Sequence, residues 1–149
     1  MIKRRLENLR DERDLKQKDI AKFLNVNEST YSEWENEKIS IPTKRLYALA
    51  NYFEVNIDYI VGLTDNKIKI KSVGDIDLKL VSERLKEIRK SLTMTMRELA
   101  DKFNTSSSAI SNYENAKFLI LGSLLIDLCK FSNYSIDWVL GRSEDKFIK

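Results

Sequence analysis

The chain has 149 residues, 42% apolar and 33% charged, with four glycines and one proline, a balance that excludes a disordered tail and favours helices. It holds no histidine, one cysteine (Cys129) and four scattered glycines, which removes histidine catalysis, zinc clusters, internal disulfides and a glycine-rich phosphate loop. The net charge of +3 is too mild to announce a polyanionic partner by itself.

No apolar run approaches the roughly 20 residues of a membrane span. The start, Met1 to Arg13, is charged rather than signal-like. A lone cysteine fits a reducing cytoplasm. No catalytic grouping of carboxylates, Lys, Ser or Tyr is visible, so the expectation is a cytoplasmic protein that is not an enzyme and takes no metal or cofactor.

Taken in chain order, Ile2, Leu6 and Leu9 mark one apolar face of a first helix, about 2–13. A second helix is expected at about 17–24, with Ile20, Ala21 and Leu24 inward. A third, about 28–36, turns Tyr31 and Trp34 inward and has Ser29 and Thr30 near its start, where short polar side chains satisfy free N–H groups. A fourth follows Pro42, about 43–53, with Leu46, Leu49, Ala50 and Phe53 inward. A fifth, about 57–62, stops at Gly62.

The pattern then recurs. Shifted by 79 residues, 4–67 aligns with 83–146 without a gap, and 17 of the 64 pairs are identical. Five more helices are expected at about 78–91, 96–103, 107–115, 122–131 and 136–141, with Thr95 as an N-cap. A repeat this long is a duplicated domain. The expected division is a first domain over 1–65, a linker over 66–76 and a second domain over 77–149. Within the connecting stretch, Ile68-Lys69-Ile70-Lys71 alternates as a strand does. It reads either as an extended charged linker or as a strand that pairs with another chain.

Trp34, Tyr113, Phe53, Phe131 and Trp138 fall on apolar helix faces and are expected in the cores. Cys129 aligns with Ala50 as a small core residue. Lys3-Arg4-Arg5 reads as a solvated face of the first helix, the alternative being a grip on a nucleic-acid backbone.

Two segments carry a recognisable pattern. The first runs Leu15-Lys16-Gln17-Lys18-Asp19-Ile20-Ala21, then Val26-Asn27-Glu28-Ser29-Thr30-Tyr31-Ser32-Glu33-Trp34-Glu35-Asn36. The second runs Met94-Thr95-Met96-Arg97-Glu98-Leu99-Ala100, then Thr105-Ser106-Ser107-Ser108-Ala109-Ile110-Ser111-Asn112-Tyr113-Glu114-Asn115. Both resemble the Cro/cI (XRE) helix-turn-helix family of phage and bacterial repressors, as do the endings Asp58-Tyr59-Ile60-Val61-Gly62 and Asp137-Trp138-Val139-Leu140-Gly141.

The resemblance implies an all-α chain of two tandem five-helix lambda-repressor-like domains. It implies binding to double-stranded DNA as a transcriptional regulator, a repressor first of all, with each third helix in the major groove. Base reading would then fall to Asn27, Glu28, Ser29 and Glu33 in the first copy and to Ser106, Ser107, Ser108 and Asn112 in the second. Phosphate contacts at the start of the second helix match Gln17 and Lys18. The second copy has Met96 in place of Gln17, with Arg97 beside it. Phosphate contacts after the third helix match Asn36, Lys38 and Lys44, and Asn115 and Lys117 in the second copy. Arg10 with Glu35 and Arg89 with Glu114 match the family's internal ion pair.

Residues 1–65 carry 11 Lys/Arg against 12 Asp/Glu, which makes the first copy a weak attractor of phosphate. The rival expectation is therefore a protein-binding module on the same scaffold: an antirepressor, an antitoxin or a phage-encoded inhibitor of a host complex. If both copies read DNA, their differing base-facing residues imply an asymmetric site. Homodimerisation is equally compatible.

Overall fold

The computed structural model describes all residues 1–149, which divide into two compact units, Met1–Ser72 and Val73–Lys149. Unit 1 holds α1 (Ile2–Glu12), α2 (Gln17–Leu24), α3 (Glu28–Glu35), α4 (Thr43–Phe53) and α5 (Ile57–Ile60). Unit 2 holds α6 (Leu78–Ser91), α7 (Met96–Lys102), α8 (Ser107–Glu114), α9 (Gly122–Ser132) and α10 (Ile136–Val139). Hydrophobic periodicity anticipates all ten helices, most to within a residue or two at each end.

Each unit is built in the same way. In unit 1, α2 packs on α3 and α4, while α1 packs on α3 and α5. Leu6, Ile20, Tyr31, Leu46, Leu49, Ile57 and Ile60 are fully buried between them. In unit 2, α7 packs on α8, and α6 packs on α8 and α10, over a core that includes Leu85, Ile88, Leu125, Ile136 and Cys129. These helices are too short to hold alone in water, so burial of their apolar faces is what stabilises them.

Local signals set the helix ends. Thr95 Oγ1 accepts from the Glu98 amide at 3.1 Å, and the Glu98 carboxylate accepts from the Thr95 amide at 3.0 Å, a reciprocal capping box. Ser29 and Thr30 do not cap α3, whose N-cap is Asn27. Gly62 (φ +83°) and Gly141 (φ +78°) end the last helix of each unit in a backbone conformation that side chains resist.

Three expectations are corrected. Phe131, placed in the core by its spacing, is 49% exposed at the end of α9. It aligns with half-buried Tyr52, not with buried Phe53, and lies edge-on to Phe103 with Lys102 Nζ 4.0 Å from its ring centre. Arg5 is not on a solvated face but 8% exposed. Its guanidinium donates to the carbonyls of Tyr59 (2.6 Å) and Thr64 (2.5 Å) and to Asp65 (2.7 Å), tying α1 to the end of α5. Arg84 repeats the tie to the Trp138 carbonyl in unit 2.

The stretch 66–71 is not a free linker, and the strand partner it takes lies in its own unit. It folds back on unit 1. Val55 and Lys69 form an antiparallel bridge, Asn56 N donates to the Ile68 carbonyl (3.0 Å), and Ile70 N donates to the Glu54 carbonyl (3.2 Å). Unit 2 closes the same way through Tyr134 and Phe147, with one residue fewer in the return. In unit 1 the Asn56 carboxamide takes up that extra residue, donating to the Asn66 carbonyl (3.0 Å) and accepting from Ile68 N (2.9 Å).

Candidate nucleic-acid interface

The inner face of α3 is fixed by a buried carboxylate. Glu35 is fully buried and accepts four hydrogen bonds. Two come from Arg10, Nε at 2.8 Å and Nη2 at 2.9 Å; the others come from Gln17 Nε2 at 2.6 Å and Tyr31 Oη at 2.9 Å. Arg10 also donates to the Leu15 carbonyl at 3.1 Å. One node thus joins α1, the loop after it, α2 and α3. A buried charge is tolerable only when paired and fully hydrogen-bonded, and this one is. Burial, then the charge and hydrogen bond of Glu35, push the Tyr31 hydroxyl well above its usual pKa, so it stays a donor. The Glu35 hydrogen bond likewise raises the pKa of Arg10.

Unit 2 keeps the core of this node and loses its edges. Arg89 donates to Glu114 through Nε (2.7 Å) and Nη2 (2.9 Å) and to the Met94 carbonyl (3.0 Å). Ile110 stands in place of Tyr31 and Met96 in place of Gln17, so two donors are gone. Both ion pairs expected from the sequence are therefore formed.

With Tyr31, Trp34 and Glu35 buried, the outer face of α3 presents Glu28, Ser29 and Glu33, all exposed, with exposed Asn27 just before it. On α8, where Ile110 and Glu114 are buried, Ser108 is exposed and Ser107 and Asn112 are half-buried. Ser106 already caps α8, its Oγ accepting from Ala109 N at 3.1 Å, so one lone pair is committed while its O–H and a second lone pair remain. Lys18, Lys38, Lys44, Arg97 and Lys117 are exposed. Gln17 is half-buried, with one N–H committed to Glu35 and one left. Asn36 donates to Ser32 Oγ (3.1 Å), and Asn115 donates to the Ser111 carbonyl (2.9 Å) and Oγ (3.1 Å). These two asparagines close the last turns of their helices before they do anything else.

Two features went unread in the sequence. Lys16 is exposed at the N-cap of α2, beside Gln17 and Lys18, where unit 2 has Thr95. The loop after α8 exposes Phe118 (61%) and Leu121 (63%), where unit 1 has Ile39 and Pro42. The unbroken apolar run Phe118-Leu119-Ile120-Leu121, of which only Ile120 is buried among the three aliphatic positions and Leu119 half-buried, was the available signal. Lys44 of unit 1 also has no cationic counterpart, Ser123 standing there instead.

The returning tail shifts the charge balance. With Lys67, Lys69 and Lys71 included, residues 1–72 hold 14 Lys/Arg against 12 Asp/Glu, and residues 73–149 hold 12 against 11. Unit 1 is therefore net basic, not acidic as its first 65 residues are.

The profile of the family described as "Helix-turn-helix" matches residues 6–60 and 85–139, one stretch in each unit. The Bacillus subtilis (strain 168) protein named "Uncharacterized HTH-type transcriptional regulator YobD" is 31% identical over 106 residues, covering 63% of this chain and 95% of that protein. The protein of the same organism named "HTH-type transcriptional regulator ImmR" is 27% identical over 86 residues, covering 58% of this chain and 66% of its own length. No solved structure matches. The two matched stretches run from α1 into α5 and from α6 into α10, well over half the chain, and so the protein belongs to the helix-turn-helix family.

Proposed function

We propose that the chain is a transcriptional regulator, a repressor first of all, that binds double-stranded DNA in a sequence-specific way by placing α3 and α8 in the major groove. The observation that carries this reading is the two-sidedness of these helices. The inner face of each is clamped by a buried glutamate paired with a half-buried arginine, and the outer face offers side chains with no partner inside the chain. The names of the Bacillus relatives support it.

In this reading Lys18, Lys38 and Lys44 of unit 1, and Arg97 and Lys117 of unit 2, hold phosphates, with Lys16 and the free N–H of Gln17 beside them. Such contacts set register without reading bases. Asn27, Glu28, Ser29 and Glu33, and Ser107, Ser108 and Asn112, face base edges. The chain works without catalysis, in the cytoplasm, where it meets DNA. No helix is long and apolar enough to cross a membrane.

Homodimerisation belongs to the same reading. Exposed apolar patches mark contact surfaces, and Phe118 and Leu121 are both exposed, three residues apart in the chain. Sedimentation of the wild type against Phe118→Ser/Leu121→Ser tests it, a fall in mass supporting the dimer and equal masses removing it.

The central test is selection from random duplex DNA, followed by affinity against salt for the enriched sequence. One enriched sequence is expected, with log K falling against log salt by about 0.9 for each phosphate held. No enrichment, and no binding at low salt, removes the reading.

A further inference from the structure

Four glutamates lie on or just after α3, and three have a structural occupation. Glu35 is the buried clamp. Glu28 sits in the first turn, where the exposed N–H groups of a helix favour negative charge. Glu37 accepts from the Met1 ammonium at 3.1 Å. Glu33 alone is exposed in mid-helix with no hydrogen bond or ion pair from its side chain. Its neighbours one turn away are Ser29, Thr30, Asn36 and Glu37, none of them a cation. Its charge does nothing for the fold and works against phosphate.

A carboxylate in that place gains a use when it meets a donor on a base edge, and in the major groove cytosine N4 is the amino group that glutamate pairs with. The aligned position on α8 is Asn112, whose side chain likewise has no hydrogen-bond partner in the chain. Asparagine pairs bidentately with adenine N6 and N7. The scaffold beneath the two positions is shared: Glu33 lies two residues before the clamped Glu35 and Asn112 two before the clamped Glu114.

We propose that Glu33 and Asn112 are a pair of specificity-determining residues, unit 1 selecting cytosine and unit 2 adenine at the equivalent base of their respective half-sites. This rests on the DNA-binding reading above and sharpens it. The two half-sites are unlike at one nameable position, so the operator is not a palindrome there.

Selection from random duplex DNA with the full chain, as wild type, Glu33→Asn and Asn112→Glu, tests the pairing. The expected wild-type motif carries C in one half and A at the equivalent place in the other. Glu33→Asn turns that C into A, a change in preference of about tenfold at one base, and makes the halves alike there. Asn112→Glu turns A into C. Both positions are solvent-accessible, and the fluorescence of Trp34 and Trp138, one in each unit, checks that the variants fold. The pairing is overturned by a wild-type motif with the same base in both places, by a motif with a single half-site, or by swaps that change affinity equally for every sequence. If the wild type enriches nothing, the DNA-binding reading itself fails and takes the pairing with it.

Discussion

The two units solve one problem with different numbers of hydrogen bonds. Unit 1 brings Arg10, Gln17 and Tyr31 onto Glu35, while unit 2 holds Glu114 with Arg89 alone. The bidentate guanidinium–carboxylate contact is common to both and is sufficient to seat the third helix against the first. The tyrosine and glutamine are additions, and in unit 2 the tyrosine is replaced by the hydrocarbon of buried Ile110. The comparison separates the part of a polar network that a fold requires from the part that one copy has kept or gained.

The largest effect that probes this difference is loss of the carboxylate. Glu35→Ala strands a half-buried guanidinium, a buried hydroxyl and a half-buried amide and is expected to cost about 3–5 kcal/mol. Glu114→Ala strands only the guanidinium and should cost less. Urea midpoints followed through Trp34 (with Trp138→Phe) and through Trp138 (with Trp34→Phe) read each unit separately. Equal losses would break the comparison.

Next comes Tyr31→Phe, which removes one hydrogen bond to Glu35 and is expected to cost unit 1 about 1 kcal/mol at neutral pH. The same residue makes unit 1 sensitive to alkali. Burial and Glu35 raise the folded-state pKa of Tyr31, so the folded state favours the neutral phenol. That contribution is complete below the ordinary tyrosine value of about 10 and is lost as pH rises beyond it. The Trp34-reported midpoint should therefore fall above pH 10, and Tyr31→Phe should flatten that fall. An unchanged slope in the variant would remove Tyr31 as its source.

Smaller still is the reverse operation. Met96→Gln offers Glu114 the donor that unit 1 has, and should raise the midpoint of unit 2 by up to about 1 kcal/mol. A loss of stability instead would mean that the thioether packs better than the amide bonds. The smallest effect lies at the turn after α6. Thr93 has φ +54°, a left-handed backbone that a β-branched residue resists, where unit 1 has Asp14 at φ +58°. Thr93→Gly should stabilise unit 2 by a few tenths of a kcal/mol to about 1 kcal/mol by thermal midpoint, and a lowered midpoint would show the strain to be absent.

Helices were legible because every one has an apolar stripe, and the duplication made each stripe visible twice. The same recurrence marked Arg10 with Glu35 as scaffold. It was available for Arg5 and Arg84 as well, and reading Arg5 inside a basic run hid it, since a run of like charges looks solvated whichever member turns inward. Phe131 was misplaced because periodicity names a face but not where that face meets solvent. The alternation at Ile68 to Lys71 correctly signalled extended backbone and could not name its partner, because a lone strand carries no record of what it pairs with. On the outer faces, Asn27, Glu28, Ser29, Glu33 and Ser108 are exposed, whereas Ser107 and Asn112 are half-buried, a difference that residue type does not spell out. The internal bonds of Gln17, Asn36, Ser106 and Asn115 depend on rotamers and caps that residue types do not spell out.

The returning tail also decides how the protein can be cut apart. A gene fragment ending at residue 65 would delete both partners of the Asn56 carboxamide, which is buried at 3% exposure and bonded to Asn66 and Ile68. Each buried amide group left unmatched costs about 1–3 kcal/mol, a large share of what a domain of this size has to spare. A fragment running to Ser72 keeps the clasp, and a fragment of the second half keeps its own only if it extends past Phe147 to Ile148, whose amide bonds the Asn133 carbonyl.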